Sequence, residues 1–178
     1  VHDSKFNGTT KRSGVDVSKW QGDIDWNQVK ASGIEYAIIR VGYRGASSGA
    51  LAKDNKAIQN LQGAKAAGLK VGVYIFSQAI NISEAQEEAD YAINQIAGNA
   101  IDLPIVIDYE YGAGNSGRLY DAHLSADAAT SVVNAFCERV QSRGYYGMVY
   151  ANKSMLEAQL NASDISSKYL VWLANYTN

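Results

Sequence analysis

AAGLKVGVYIF, residues 66–76, holds the end of one element and nearly the whole of the next. A helix-forming run stops at Gly68, and a few residues later an apolar strand begins. Glycine at that point supplies the left-handed backbone that ends a helix. The same junction recurs as ASGIEYAIIR (residues 31–40) and SRGYYGMVYA (residues 142–151). A unit of helix, glycine and apolar strand that repeats along a chain implies parallel strands joined by right-handed crossovers.

Working outward from these junctions, strands are expected at 14–17, 36–42, 71–77, 104–110, 147–151 and 169–174. Helices are expected at 23–33, 53–68, 83–98 and 125–144, with a short helical piece at 153–160. Ser83, three residues before Gln86, reads as a capping box opening the third helix. The strands are near-continuous apolar runs, as in sheets covered on both faces. Pro104 suits the first residue of a strand. Two architectures fit, a β/α barrel and an open doubly wound sheet. GYRGASSGA (residues 42–50) is glycine-rich but has neither dinucleotide-binding nor P-loop spacing. The barrel is the preferred reading of this α/β pattern.

The 178 residues suffice for one domain with a sizeable core. Apolar residues make up 47% and charged residues 19%, which places the chain among globular proteins. A net charge of −2 gives no reason to expect nucleic acid. No apolar run is long enough to span a bilayer, so no membrane partner is expected. Neither histidine has a second histidine or cysteine at metal-ligand spacing, so no metal is expected. Cys137, the single cysteine, lies in the helical pattern VVNAFCERV and reads as a small buried hydrophobe.

In β/α barrels the chemistry sits at the C-terminal ends of the strands. There this sequence places Asp16, the pair Asp108 and Glu110, and the aromatic residues Tyr74, Phe76, Tyr150 and Trp172. Residues i and i+2 of a strand share a face, roughly 6–7 Å apart. Two carboxylates held that close in a partly buried mouth cannot both ionise freely, and one becomes a proton donor. Paired carboxylates with aromatic walls suit hydrolysis of a glycosidic bond.

These residues carry a resemblance. GVDVSKWQGDIDW, IIRVGY, GVYIFS, LPIVIDYE, MVYAN and VWLANY are similar, in that order, to glycoside hydrolase family 25, the bacterial and phage lysozymes. The resemblance covers the chain from about Gly14 onward, which divides it into an N-terminal extension (1–13) and a catalytic domain (14–178). It implies a (β/α)5(β)3 barrel of five βα units followed by extra strands, no cofactor, and cleavage of the β-1,4 bond between N-acetylmuramic acid and N-acetylglucosamine in bacterial peptidoglycan. It implies action outside the cell or at the cell wall. Glu110 matches the family's proton donor, Asp108 the carboxylate beside it, and Asp16 the acid at the end of the first strand. Tyr74, Tyr150 and Trp172 match groove-lining aromatics. Arg40 is a charge inside an apolar strand, read equally as a structural ion pair or a substrate contact. Trp20 is a candidate groove wall, and Trp26 is expected to pack the first helix on the barrel. The family continues into two more strands and a final aspartate, so a further segment or wall-binding module after Asn178 is expected. Two rival readings are a family 18 chitinase and a catalytically inactive wall-binding module. Leu103 and Val106 stand where the chitinase motif has aspartates, which argues against the first. Retention of all three acids argues against the second, and a chain without the final aspartate keeps it open.

Overall fold

The computed structural model describes residues 8–175. Residues 1–7, within the expected N-terminal extension, and 176–178, the end of VWLANYTN, lie outside the described residues. The strands are β1 Gly14–Val17, β2 Tyr36–Arg44, β3 Leu51–Lys53, β4 Lys70–Ser77, β5 Ile105–Tyr109, β6 Gly147–Asn152 and β7 Leu170–Ala174. The helices are α1 Trp26–Ala31, α2 Ala57–Ala66, α3 Ile82–Ile96, α4 Arg118–Asp121, α5 Ala126–Ser142 and α6 Ala162–Lys168. The sheet runs β1-β2-β4-β5-β6-β7, with every neighbouring pair parallel. Gly68 and Gly144 close their helices with φ of 78° and 85°, the left-handed backbone the junction pattern requires.

The two faces of the sheet differ. One face carries Ile39, Val41, Val71, Val73, Ile75, Ile105, Ile107, Tyr109 and Val149, all fully buried in the core. Helix α5 contributes Val132, Val133, Phe136, Cys137 and Val140 to that core, and α3 contributes Ala85, Ala89, Ala92 and Ile96. Cys137 is buried and unpaired, and burial pushes its thiol up to about 12, in keeping with a packing role. Trp26 is buried where expected: a Cβ at Gly63 of α2 would sit 2.4 Å from its indole ring.

On the opposite face β1 and β7 are the edges of the described sheet, yet both line one cavity of about 610 Å³. Gly14 and Asp16 enter it from one edge, Leu170 and Trp172 from the other, and Pro104 from below β5. The sheet therefore curls into a half-barrel whose concave face bears the polar and aromatic side chains.

Three local expectations are corrected. Residues 51–53 form a strand antiparallel to the end of β2 rather than a loop leading into helix at 53. The glycine-rich stretch before them is the turn of this hairpin, closed by Gly45 N–H to Ala50 O at 2.9 Å. A three-residue strand is too short to show alternation in sequence. Helix α3 is capped by Asn81, whose side chain accepts from Glu84 N–H at 2.9 Å, and not by Ser83. Glu84 in turn accepts from Ile80 N–H at 3.0 Å, so the reciprocal capping lies two residues earlier than read. The helical piece after β6 is a π-turn over Met155–Gln159, followed by the unpredicted α6. The short α4 was likewise not read from the sequence.

Candidate active site

Register decides which side chains meet. Phe76 of β4 pairs with Asp108 of β5, Asp108 with Tyr150 of β6, and Tyr150 with Trp172 of β7. These four form one row across the concave face, because parallel neighbours in register point the same way. Arg40 pairs with Tyr74 one step below. A β-bulge between Arg40 and Gly42 resets β2 just above Arg40, a device common beside functional sites.

A cavity of about 300 Å³ opens over this row. Asp16, Ser18, Trp20, Arg40, Tyr74, Phe76, Asp108, Glu110, Tyr150 and Trp172 line it, so all eight residues singled out as catalytic or substrate-binding are brought together. Tyr150 and Trp172 meet edge to face with ring centres 4.8 Å apart. Trp20 also reaches the cavity; it is 76% exposed and stands at the rim, with the Lys19 ammonium 5.0 Å from its ring centre. Its turn is fixed by a capping box between Ser18 and Gln21.

The carboxylates differ sharply in environment. Asp108 is 8% exposed, and its Oδ1 has no hydrogen-bond partner. Burial first, then the charges of Glu110 and Asp16, hold its carboxyl well above the usual range, and Arg40 opposes them only in part. Glu110 is half-buried at the cavity wall, and burial raises its carboxyl as well. Asp16 is the most open of the three. Burial also pushes the Tyr74 phenol up. Burial thus favours the protonated form of two acids of the site, Asp108 and Glu110.

Arg40 makes a structural ion pair and also lines the cavity. Its Nε donates to Asp54 Oδ2 at 2.8 Å, while its Nη2 is buried with no partner and its side chain lines the cavity. Asp54 escaped sequence reading, although it organises this corner. It is fully buried and also accepts from the backbone N–H of Lys19 and of Lys56, each at 3.0 Å. Gln78 was missed too. Its buried side chain donates from Nε2 to Glu110 O at 3.0 Å and accepts at Oε1 from Leu119 N–H at 3.2 Å. It ties the backbone of Glu110 to the end of β4 and to α4. A single Gln after a strand carries no sequence signal for such a role. Among the described residues no cluster of His, Cys, Asp and Glu is arranged to hold a metal ion.

Comparison with known proteins places the chain in a family. The chain matches the family model for Glycosyl hydrolases family 25 over residues 15–178, and it belongs to that family. It is 29% identical over 163 residues to the autolytic lysozyme of Clostridium acetobutylicum, covering 92% of this chain and 44% of that protein. It is 33% identical over 138 residues to lysozyme M1 of Streptomyces globisporus, covering 76% of this chain and again 44% of the relative. Thus it spans less than half the length of the curated relatives it matches. Among solved structures, the modular autolysin LytC of Streptococcus pneumoniae, in complex with synthetic peptidoglycan ligand, superposes with a TM-score of 0.79 at 26% identity. That match covers 94% of this chain and 38% of LytC.

Proposed function

We propose that this chain is a muramidase, which hydrolyses the β-1,4 bond between N-acetylmuramic acid and N-acetylglucosamine in bacterial peptidoglycan. The observation that carries the proposal is the union of Asp16, Asp108 and Glu110 in one aromatic-walled cavity of a family 25 fold. The names of the relatives, an autolytic lysozyme and a modular autolysin in complex with synthetic peptidoglycan ligand, support it and suggest action at the cell wall. In this reading residues 14–178 belong to the catalytic domain, residues 1–13 precede it, and the half-barrel is part of a (β/α)5(β)3 barrel.

Glu110 is the general acid. Its raised carboxyl keeps a proton for the leaving oxygen, and its backbone is held by Gln78. Asp108 and Glu110 project from one strand end and so approach the sugar from one side. A retaining or inverting pair flanks the bond instead. The 2-acetamido group of the muramic acid then serves as the internal nucleophile, oriented by the unpaired oxygen of Asp108. Asp16 supplies negative charge beside the developing sugar cation. The aromatic row of Phe76, Tyr150 and Trp172 packs on the sugar faces, with Tyr74 and Arg40 beneath.

The test is Glu110→Gln, which is nearly isosteric but cannot release the proton. Lysis of peptidoglycan is expected to fall at least about 10²-fold with the fold retained. A folded variant keeping more than a few per cent of the rate removes Glu110 from the role. In the native protein, a slow fluorinated substrate is expected to leave no ester on Asp16 or Asp108. A labelled carboxylate assigns the covalent route to that residue instead.

A further inference from the structure

Glu110 stands one residue past the end of β5, where the sheet no longer holds the backbone. The ladder between β4 and β5 ends at the pair Ser77 and Tyr109, and that between β5 and β6 at Asp108 and Tyr150. A proton donor has to be placed closely, because a misplacement of about 1 Å can cost about 10²-fold in rate. Contacts behind β5, away from the cavity, supply the hold that the ladder does not.

That hold runs through two buried side chains. Gln78, the first residue after β4, is fully buried, and all its polar groups are paired. Its Nε2 donates to Glu110 O and to Ser77 O, both at 3.0 Å, and its Oε1 accepts from Leu119 N–H at 3.2 Å. Its carbonyl accepts from Arg118 Nη1 at 3.1 Å. Its own N–H donates to Glu88 Oε1, a long bond of 3.4 Å. The loop before α4 closes tightly on the Gln78 amide. A Cβ at Gly117, where φ is 95°, would lie 2.8 Å from Gln78 Oε1.

Glu88 of α3 is fully buried as well. Arg44, at the end of β2, donates from Nε to Glu88 Oε1 at 2.7 Å. That arginine is itself fixed, with Nη1 on Gly49 O and Nη2 on Glu87 Oε2, each at 2.7 Å, and Nη2 also on Glu84 O at 3.1 Å. The Ser77 hydroxyl is a further hydrogen-bonding neighbour of the Glu88 carboxyl. Glu88 Oε2 is buried with no partner, and so is the hydroxyl of Tyr109, the residue before Glu110. Burial first, and then the charge of Glu88, hold the Tyr109 phenol above its usual range, so the two side chains lie within electrostatic reach. One carboxyl thus bears on both sides of Glu110, through Gln78 on its carbonyl and through Tyr109 on the preceding residue. A buried acceptor left half unpaired costs stability, so the packing of α3 alone does not account for a glutamate here.

We infer that Glu88 is a positioning residue for the general acid: it locks Gln78, and Gln78 sets the backbone of Glu110. The inference rests on Glu110 being the acid. Glu88 is not among the residues that line the cavity, and it acts from the far side of the strand. Its oxygen, rather than its charge, does the positioning, because Gln78 N–H and Arg44 Nε need only an acceptor between them.

The test removes the acceptor and then restores it. Glu88→Ala and Glu88→Gln are assayed on soluble, peptide-free peptidoglycan glycan oligomers. Arg44 keeps Glu87 and two backbone carbonyls in both variants, which favours folding. Should Glu88→Ala fail to fold, Glu88→Met fills the space without an acceptor and takes its place. The acceptor-free variant is expected to lose about 10- to 10²-fold in kcat with KM within about twofold of native, and Glu88→Gln to return to within about threefold. A loss confined to KM, or a Glu88→Gln as impaired as the acceptor-free variant, overturns the role. Hydrogen exchange reads the link independently of the chemistry. The Leu119 amide, held by Gln78, is expected to exchange at least about tenfold faster without the acceptor and at the native rate in Glu88→Gln. Unchanged exchange overturns the link whatever Glu110 does. Faster exchange with native kcat, while Glu110→Gln is inactive, overturns the positioning role and leaves the acid in place. A Glu110→Gln protein that keeps its rate removes the acid and this role together.

Discussion

Two carboxylates lie on either side of Arg40, and burial has treated them differently. Asp54 is fully buried, and its oxygens accept from the Arg40 guanidinium and from two backbone N–H groups. Asp108 is almost as deep, yet one oxygen has no partner and its nearest charged neighbours include two more acids. A buried charge that is fully paired holds a structure together, and removing its partner is costly. A buried charge left unpaired costs stability, and persists where the chemistry uses it. The same side-chain type thus serves as scaffold at one end of the site and as reagent at the other. Glu88 of α3 stands between the two: one oxygen accepts from Arg44 at 2.7 Å, the other is buried without a partner, and burial raises its carboxyl to about 7.

The contrast breaks most visibly at Asp54. Asp54→Ala is expected to lower unfolding stability by about 3–5 kcal/mol, toward the lower end because Arg40 keeps some access to the cavity. Urea unfolding measures it. A loss within about 0.5 kcal/mol, the scale of a neutral surface change, would dissolve the distinction between the two acids.

Asp108→Asn is expected to act in the opposite sense on stability. At neutral pH the variant gains about 1–3 kcal/mol by removing an unsatisfied buried charge, while its lytic rate falls about 10²-fold or more. The sign with pH follows from the raised folded-state carboxyl. A group protonated more readily in the folded than in the unfolded chain favours folding most at low pH, below its unfolded value near 3.9. That contribution is lost as pH rises toward the folded value. The melting temperatures of native and variant proteins should therefore converge in acid and separate as pH rises. A gap that widens toward acid instead contradicts the burial argument.

The smallest effect is expected at the cavity wall. Burial raises the Glu110 carboxyl, and the repulsion between the two acids falls chiefly on the deeper Asp108. Trp172→Ala admits water and should lower that carboxyl toward its ordinary value. The alkaline limb of kcat/KM reports loss of the acid's proton, so it should move to lower pH, by about one unit or less. Asp108→Asn should leave the limb of its residual activity in place. A limb that follows Asp108 and ignores Trp172 would mean that charge, rather than burial, sets the acid.

What the sequence determined by itself was periodic and local. Repeated helix–glycine–strand junctions ordered the parallel strands, because left-handed glycine and apolar runs act within a few residues. The D-x-E at the end of β5 and the aromatic strand ends identified the concave face, because alternation along a strand is a property of the chain alone. Tertiary structure alone decided what depends on partners distant in sequence. Asp54 meets Arg40 across 14 residues, after β3 turns the chain in a way its few residues do not announce, and Gln78 reaches Glu110 across 32. A cavity of about 420 Å³ likewise gathers Tyr111 to His123 against Asn152 to Gln159 only because β5 and β6 are neighbours. Whether a buried acid is paired or bare is fixed by that long-range packing, and so the division between scaffold and reagent became visible only in the fold.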